Sequence, residues 1–457
     1  MNRRDFIKLT VAGAVTTLMP SYTYASKLDL SKIQFDSNIY SKNKAQTIIV
    51  FLAGGASQLA GNLTNLDEIE QHSQNSYKKY FRAITPTQNG CWQEAGGTHI
   101  EKMINNGDLT LFRTCYSAIR EAKGNKAHGI CSEQNQKGNF DTSQAGIITK
   151  IAKILEDNGA INEDSILPFI TMGTENYFYA QDDISIPGYL KPIGMNSNFN
   201  NPYKRELWSK RPWIYYTKEE REEKNYNKSD DEGGFDPQFS KDMDRLAQEH
   251  NRDGKIKSAF AKREELSNFI NSLKSIETPD LGDENYPLNN LFANNLKAAI
   301  TILDKNPDTK IITIGNAGLG GWDDHNESRD YVTRAEGLFK SLRSAMAHLK
   351  ALGKDGTINI MVFAEFGRNV NLNSAFGWDH GNLQNYFILG GKDYFTHKGI
   401  VGETRVDVTG KLNRLWLKPK DKSYWFEPMS IAATIYKIYG IQNPQELTGG
   451  YEAVKFI

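Results

Sequence analysis

Two short segments of this sequence pair a carboxylate with an imidazole beside glycine. They are Gly320-Gly321-Trp322-Asp323-Asp324-His325 and Trp378-Asp379-His380-Gly381. Each offers one hard oxygen and one ring nitrogen, a donor set that suits zinc, manganese or iron better than calcium, which prefers oxygen alone. The adjoining glycines let the backbone bend so that both side chains of a pair face one point. Asp323, His325, Asp379 and His380 are therefore the candidate metal ligands. Two such pairs on neighbouring strand ends would hold one or two divalent ions, an arrangement suited to phosphoryl and sulfuryl transfer. Between them lies Glu365-Phe366-Gly367-Arg368, whose arginine is a candidate for holding an oxyanion in bidentate fashion. An isolated Asp-x-His also arises by chance, and Asp beside Gly is often just a turn. The weight rests on two pairs occurring together. Trp322 and Trp378 read as packing aromatics.

The elements that must position these residues are legible as runs of apolar residues. Thr47-Ile-Ile-Val-Phe-Leu52 ends in Gly54-Gly55 and reads as a strand buried on both faces. Similar runs occur at 109–112, 167–171, 310–314, 358–363 and 386–389. Helical spacing appears over 144–156, about 240–274, 288–305, 330–352 and 429–439. Strands alternating with helices imply an α/β fold with a mostly parallel sheet and helices on both faces. In such folds ligands gather at the carboxyl ends of strands. Both Asp-His pairs follow predicted strands, as does Gly54-Gly55-Ala56-Ser57-Gln58. His128, in Asn125-Lys126-Ala127-His128-Gly129, reads as part of a polar loop after the second strand, where it is either a ligand, a substrate contact or a surface histidine. The charged stretch 217–236 reads as a solvated loop within a helical insertion spanning about 190–285. Gly54-Gly55 lacks the spacing of a Walker loop or dinucleotide fingerprint.

Charge and composition exclude several classes. The 457 residues carry 55 basic and 55 acidic side chains, which leaves no basic footprint for nucleic acid. No apolar block is long enough to span a bilayer. The first residues, Met1-Asn2-Arg3-Arg4-Asp5-Phe6-Ile7-Lys8, precede a weakly apolar segment and Thr23-Tyr24-Ala25, the order of a signal peptide. The paired arginines with Phe6 and Lys8 resemble the twin-arginine export signal, which implies the twin-arginine translocase as a partner and a periplasmic or exported destination. Cleavage after Ala25 leaves 52 basic and 54 acidic residues, a formal charge of −2. Cys91, Cys115 and Cys131 remain, with room for one disulfide and no zinc-motif spacing.

Taken together, these pieces resemble a bacterial family of exported proteins of undefined function within the alkaline phosphatase and sulfatase-like superfamily. The resemblance runs from about 46 to 445 and is carried by the residues after the first strand, His128 with Gly138 downstream, Gly321-Trp322-Asp323-x-His325, Glu365-Phe366-Gly367-Arg368 and Asp379-His380-Gly381. It implies an alkaline-phosphatase-like three-layer α/β/α sandwich over 26–457. It also implies one or two divalent metals (zinc, manganese, iron or calcium) on Asp323, His325, Asp379 and His380. Superfamily enzymes further need an acidic ligand after the first strand and a nucleophile. This chain departs from that pattern, reading Ala56-Ser57-Gln58-Leu59-Ala60-Gly61-Asn62 where relatives often carry Asp. Ser57 is a candidate nucleophile or a helix-cap serine. Thr114, Cys115 and Ser117 are further candidates, but Cys115 lacks the context of a sulfatase cysteine.

Two functions follow as expectations. One is an exported metal-dependent hydrolase acting on a small phosphate or sulfate ester, with Ser57, Arg368 and His128 in catalytic roles. The other is a non-catalytic periplasmic binding or surface-assembly protein that keeps the fold with a degenerate site.

Overall fold

The computed structural model describes residues 29–173, 176–199, 245, 265–408 and 415–455. The twin-arginine segment 1–25 and most of the 190–285 insertion, including its charged stretch, lie outside the described residues.

The apolar run Gln46–Leu52 forms β1, buried along its whole length. It sits near the middle of an eight-stranded sheet with β2 (Leu109–Tyr116), β3 (Phe169–Met172), β4 (Ile193–Gly194), β5 (Ile311–Ile314) and β6 (Ile358–Ala364). A two-stranded ribbon of β7 (Gly367–Arg368) and β8 (His380–Gly381) then leads back into the sheet through β9 (Leu383–Gly390) and β10 (Gly399–Val401). The spatial order is β10-β2-β9-β6-β1-β5-β3-β4. All pairings are parallel except those of β9 with β2 and β6, so seven strands run one way and β9 runs against them. A second ribbon pairs β11 (Thr404–Asp407) with β12 (Trp416–Pro419).

Alternation along the strands divides the core into two layers. Ile48, Val50 and Leu52 of β1 join one apolar cluster, and Ile49 and Phe51 join the other. The first cluster is covered by α1 (Gly97–Asn105), α4 (Leu291–Lys305) and α5 (Asp330–Ala351). The second is covered by α3 (Ile147–Asp157) and α6 (Met429–Ile438), while α2 (His128–Lys137) packs against α6. In α3, Ile147, Ile151, Ile154 and Leu155 recur at helical spacing and bury one face. In α4, Asn290 caps the start by accepting from the Ala293 N–H at 3.0 Å. The result is the expected α/β/α sandwich with a mostly parallel sheet.

Three local readings change. The second strand does not stop at Phe112 but continues to Tyr116, with a register shift between Phe112 and Cys115. Thr114 and Cys115 thus lie inside the strand. The Thr114 hydroxyl donates to the Tyr424 carbonyl, and Cys115 is fully buried in the apolar core. Ser117 is the N-cap of a short helix, Ala118–Lys123. His128 is not in a loop: it is the first residue of α2. All three cysteines are free and buried.

Candidate metal centre

The three central strands β6, β1 and β5 are neighbours and parallel, so their carboxyl ends stand side by side. From β1 comes the turn Gly54-Gly55, from β5 the loop holding Trp322 to His325, and from β6 the segment Glu365–Arg368. The first two loops touch backbone to backbone. Gly54 has φ +112°, and a Cβ there would stand 2.7 Å from the Asp323 nitrogen. Only glycine permits that conformation and that approach. On the other side of the β5 loop, a Cβ at Gly377 would meet the His325 carbonyl at 2.1 Å. Trp322 and Trp378 are buried and pack edge-on against Tyr331, as core aromatics.

These constraints gather His128, Asp323, His325 and His380 into one group whose ligand atoms all lie within 4.8 Å of one another. Asp323 Oδ1 is the common point. It lies 3.3 Å from His128 Nε2, 3.2 Å from His325 Nε2 and 3.9 Å from His380 Nε2. The Nε2 atoms of His325 and His380 are 2.8 Å apart. Each ring has an oxygen at its other nitrogen. His128 Nδ1 is 2.8 Å from Glu365 Oε1, His380 Nδ1 is 2.6 Å from the Lys126 carbonyl, and His325 Nδ1 is 3.4 Å from Asp379 Oδ1. Oxygen acceptors at Nδ1 favour, in the neutral ring, the tautomer whose Nε2 lone pair faces inward. At these spacings the inward-facing Nε2 atoms and the carboxylate oxygen need positive charge among them, supplied by Arg368 and a proton on His128 or by a bound cation. The donor set therefore fits a divalent ion bound by three imidazoles and one carboxylate, as zinc, manganese or iron prefer.

Arg368 is the cation beside this group. It is 1% exposed, and its nitrogens are engaged by protein atoms. Nε donates to the Gly55 carbonyl at 2.7 Å, Nη1 to the Trp378 carbonyl at 3.1 Å, and Nη2 to the carbonyls of Gly54 and Trp322 and to Asp323 Oδ1 at 2.6 Å. Nη1 also stands 3.3 Å from His325 Nε2. The guanidinium therefore ties three site loops together, rather than presenting the open two-pronged face that a bidentate oxyanion contact needs.

The electrostatics follow from these contacts. His128 is shifted up from the ordinary histidine range, chiefly by its hydrogen bond to Glu365 and further by the charges of Glu365 and Asp323, against the opposing effect of burial. His380 is pushed down to about 4, first by burial and then by Arg368 and the two neighbouring histidines. Burial raises the Asp323 carboxyl, but Arg368 and the histidines outweigh it and hold the group below the usual carboxylate range.

An open cleft of about 720 Å³ lies over the group, lined by Gly54, His128, Gly129, Tyr177, Asp323 and Glu365 among others. Of the residues singled out from sequence, Asp323, His325 and His380 converge and His128 joins them. Asp379 stands behind His325, outside the inward-facing set. Ser57 is 6% exposed, and its hydroxyl accepts from the Leu59 N–H at 3.4 Å as the cap of a short helix, Gln58–Gly61. Glu365 escaped notice as a site residue. It is 1% exposed, accepts from the Gly54 N–H at 2.8 Å through Oε1, and has a buried Oε2 without a hydrogen-bond partner. Its place after a strand that ends beside the glycine turn was the available signal. Among the described residues this is the single group of metal-ligating side chains of its kind.

No protein-family model matches the chain, and no curated protein matches it in sequence. Among solved structures it is similar to a protein in the alkaline phosphatase superfamily from Vibrio parahaemolyticus, at 11% identity and TM-score 0.36, over 96% of this chain and 76% of that one. It is also similar to the alkaline phosphatase of the Antarctic bacterium TAB5, at 12% identity and TM-score 0.37, over 87% and 98% of the two chains. A third is the C-terminal periplasmic domain of EcEptC from Escherichia coli in complex with Zn, at 9% identity and TM-score 0.38, over 90% and 85%. Likenesses at this level assign no residue a role, and the chemistry of the cleft rests on its own geometry.

Proposed function

We propose that this chain is an exported metal-dependent hydrolase acting on a small phosphate or sulfate ester. The observation that carries the reading is the convergence of three imidazole Nε2 atoms on one carboxylate oxygen, in a group whose His128 and Asp323 line an open cleft. His128, Asp323, His325 and His380 would hold the ion. A divalent ion there supplies a Lewis acid for the ester oxygen and a source of nucleophile at neutral pH. The chain's own residues fix the geometry. Glu365, Asp379 and the Lys126 carbonyl hold the ring tautomers, and Arg368 holds Asp323 and the surrounding loops in register. Export through the twin-arginine route rests on Arg3-Arg4 and the residues after them.

A second reading, a binding or assembly protein with the same fold and no turnover, is favoured by one observation. Ser57 caps a helix instead of facing the cleft, and Thr114 and Cys115 are buried in a strand, which leaves no side-chain nucleophile assigned.

Elemental analysis of the purified protein, beside a chelator-treated control, tests the first reading. About one equivalent of tightly held metal is expected. The double change Asp379→Ala with His380→Ala should remove it while the protein stays folded by circular dichroism. Metal content that is nil in the parent protein, or unchanged in the variant, overturns the assignment.

A further inference from the structure

We infer that Arg120 and Asn135 form a latch that sets the distance between α2 and the end of β6, and so brings His128 within reach of the other three metal ligands. This rests on the hydrolase reading above and adds two positioning residues to it. Neither belongs to the ligand group, and both act through residues that do.

Asp323, His325 and His380 sit on chain that leaves β5 or follows β6. His128 does not: it opens α2, a helix that packs against α6 and the second apolar layer. The helix by itself does not determine how far its first turn stands from the sheet. Arg120 supplies that constraint from the short helix Ala118–Lys123, where it is 2% exposed. Its Nη1 donates to the Glu365 carbonyl at 2.8 Å. Its Nη2 donates to the Cys131 carbonyl at 3.2 Å and to Asn135 Oδ1 at 2.7 Å, and Nε donates to Gln134 Oε1 at 3.0 Å. One guanidinium thus grips the residue after β6 on one side and the middle of α2 on the other. Asn135 closes the same gap directly, its Nδ2 donating to the carbonyls of Ala364 at 2.7 Å and Glu365 at 3.0 Å.

The spacing along α2 carries this grip to the metal centre. Residues 128, 131 and 135 follow the i, i+3, i+7 pattern and share one helix face. Holding Cys131 and Asn135 against the end of β6 brings His128 to the same place, where its Nδ1 is 2.8 Å from Glu365 Oε1. The segment between Arg120 and α2 reaches a second ligand, since the Lys126 carbonyl lies 2.6 Å from His380 Nδ1. Slack in this segment would be felt at both rings. The side-chain chemistry suits the task. Every acceptor of Arg120 is uncharged, and burying a cation without a carboxylate is costly. An apolar side chain would fill the space more cheaply but would leave α2 and β6 with fewer shared bonds. Arginine's planar fork offers donors in several fixed directions, which the single ammonium of lysine cannot reproduce.

Zinc titration of the full chain in competition with a chelator, and the visible absorption spectrum of the cobalt(II)-loaded chain, test this on Arg120→Lys and Asn135→Ala. Asn306→Ala is the control. Asn306 is likewise buried and donates through Nδ2 to the Ile166 carbonyl at 2.6 Å and to Thr309 Oγ1 at 2.8 Å, but it precedes the amino end of β5, away from the metal centre. Both latch variants should bind zinc about 10- to 100-fold more weakly and show an altered cobalt spectrum, because the ligand geometry changes. Asn306→Ala should lose stability in urea yet keep the parent's zinc affinity and cobalt spectrum. Unchanged affinity and spectrum in Asn135→Ala, or an equal loss of affinity in Asn306→Ala, would overturn the inference. If Arg120→Lys does not fold, Asn135→Ala decides by itself. A parent protein that takes up neither zinc nor cobalt overturns the hydrolase reading and this one with it. A parent that binds metal, with latch variants that bind it equally well, overturns this inference alone.

Discussion

The four converging residues differ in how readily they accept a metal, because they differ in proton affinity before it arrives. His380 is held neutral by burial beside Arg368 and two other rings, so it has no proton to lose near neutrality. His128 has the opposite bias: Glu365 and Asp323 favour its charged form. A metal must therefore displace a proton from His128, which links binding to pH. The sign is fixed. As pH falls through the raised His128 pKa, the protonated ring competes with the ion and affinity drops, by about tenfold per pH unit once His128 is mainly protonated. Titration calorimetry at pH 6, 7 and 8 should show weaker binding and greater proton release at the acid end. Affinity that is flat across this range would mean that His128 takes no part in binding.

At the scale of elements, the site is a property of three adjacent strand ends and the tightness of the loops that leave them. Gly54 is the point of closest contact, with a backbone conformation and a clearance that exclude a side chain. Gly54→Ala should lower stability by about 1–3 kcal/mol in urea denaturation and also reduce metal uptake, because the Asp323 backbone must move. Gly107 serves as the control. It has φ +67° after α1 with open space around it, so Gly107→Ala should show only the conformational penalty, of about 1 kcal/mol, and normal metal content. Equal loss of metal in both variants would show that the loop contact at Gly54 is not what positions Asp323.

The same scale explains what could be read from sequence. Six strands of the sheet were legible because each is a short apolar run, whereas the two- and three-residue β4 and β10 are too short to form one. The Asp-His pairs were legible because they follow such runs beside glycine. The reversed direction of β9 was not, since an apolar run looks the same in either direction. Asp379 and His380 are adjacent in sequence, yet side chains on neighbouring residues of extended chain point opposite ways, which is why one faces the cluster and the other lies behind His325. His128 and Glu365 meet only in the tertiary structure, 237 residues apart. No local pattern announces that contact.

At the scale of the whole molecule, the core is compatible with the proposed export route. The two apolar layers close around the sheet without any cross-link, because Cys91, Cys115 and Cys131 are each buried and free. Burial raises all three thiols above their ordinary pKa, which keeps them protonated and slow to exchange. Such a fold needs no oxidising compartment to form and can be complete in the reducing cytoplasm, metal included, before transport. That is the condition under which a twin-arginine signal makes physical sense, since its translocase carries folded proteins. Among the described residues no helix is long and apolar enough to cross a membrane. Replacing Arg3-Arg4 by Lys-Lys keeps the charge of the N-terminal segment and removes only the guanidinium pair. Fractionation of cells expressing this variant should find a folded, metal-bearing precursor in the cytoplasm and little mature protein in the periplasm. Normal periplasmic yield from the Lys-Lys variant would instead mean that the chain crosses by a route indifferent to the arginines, unfolded, and acquires its metal only after export.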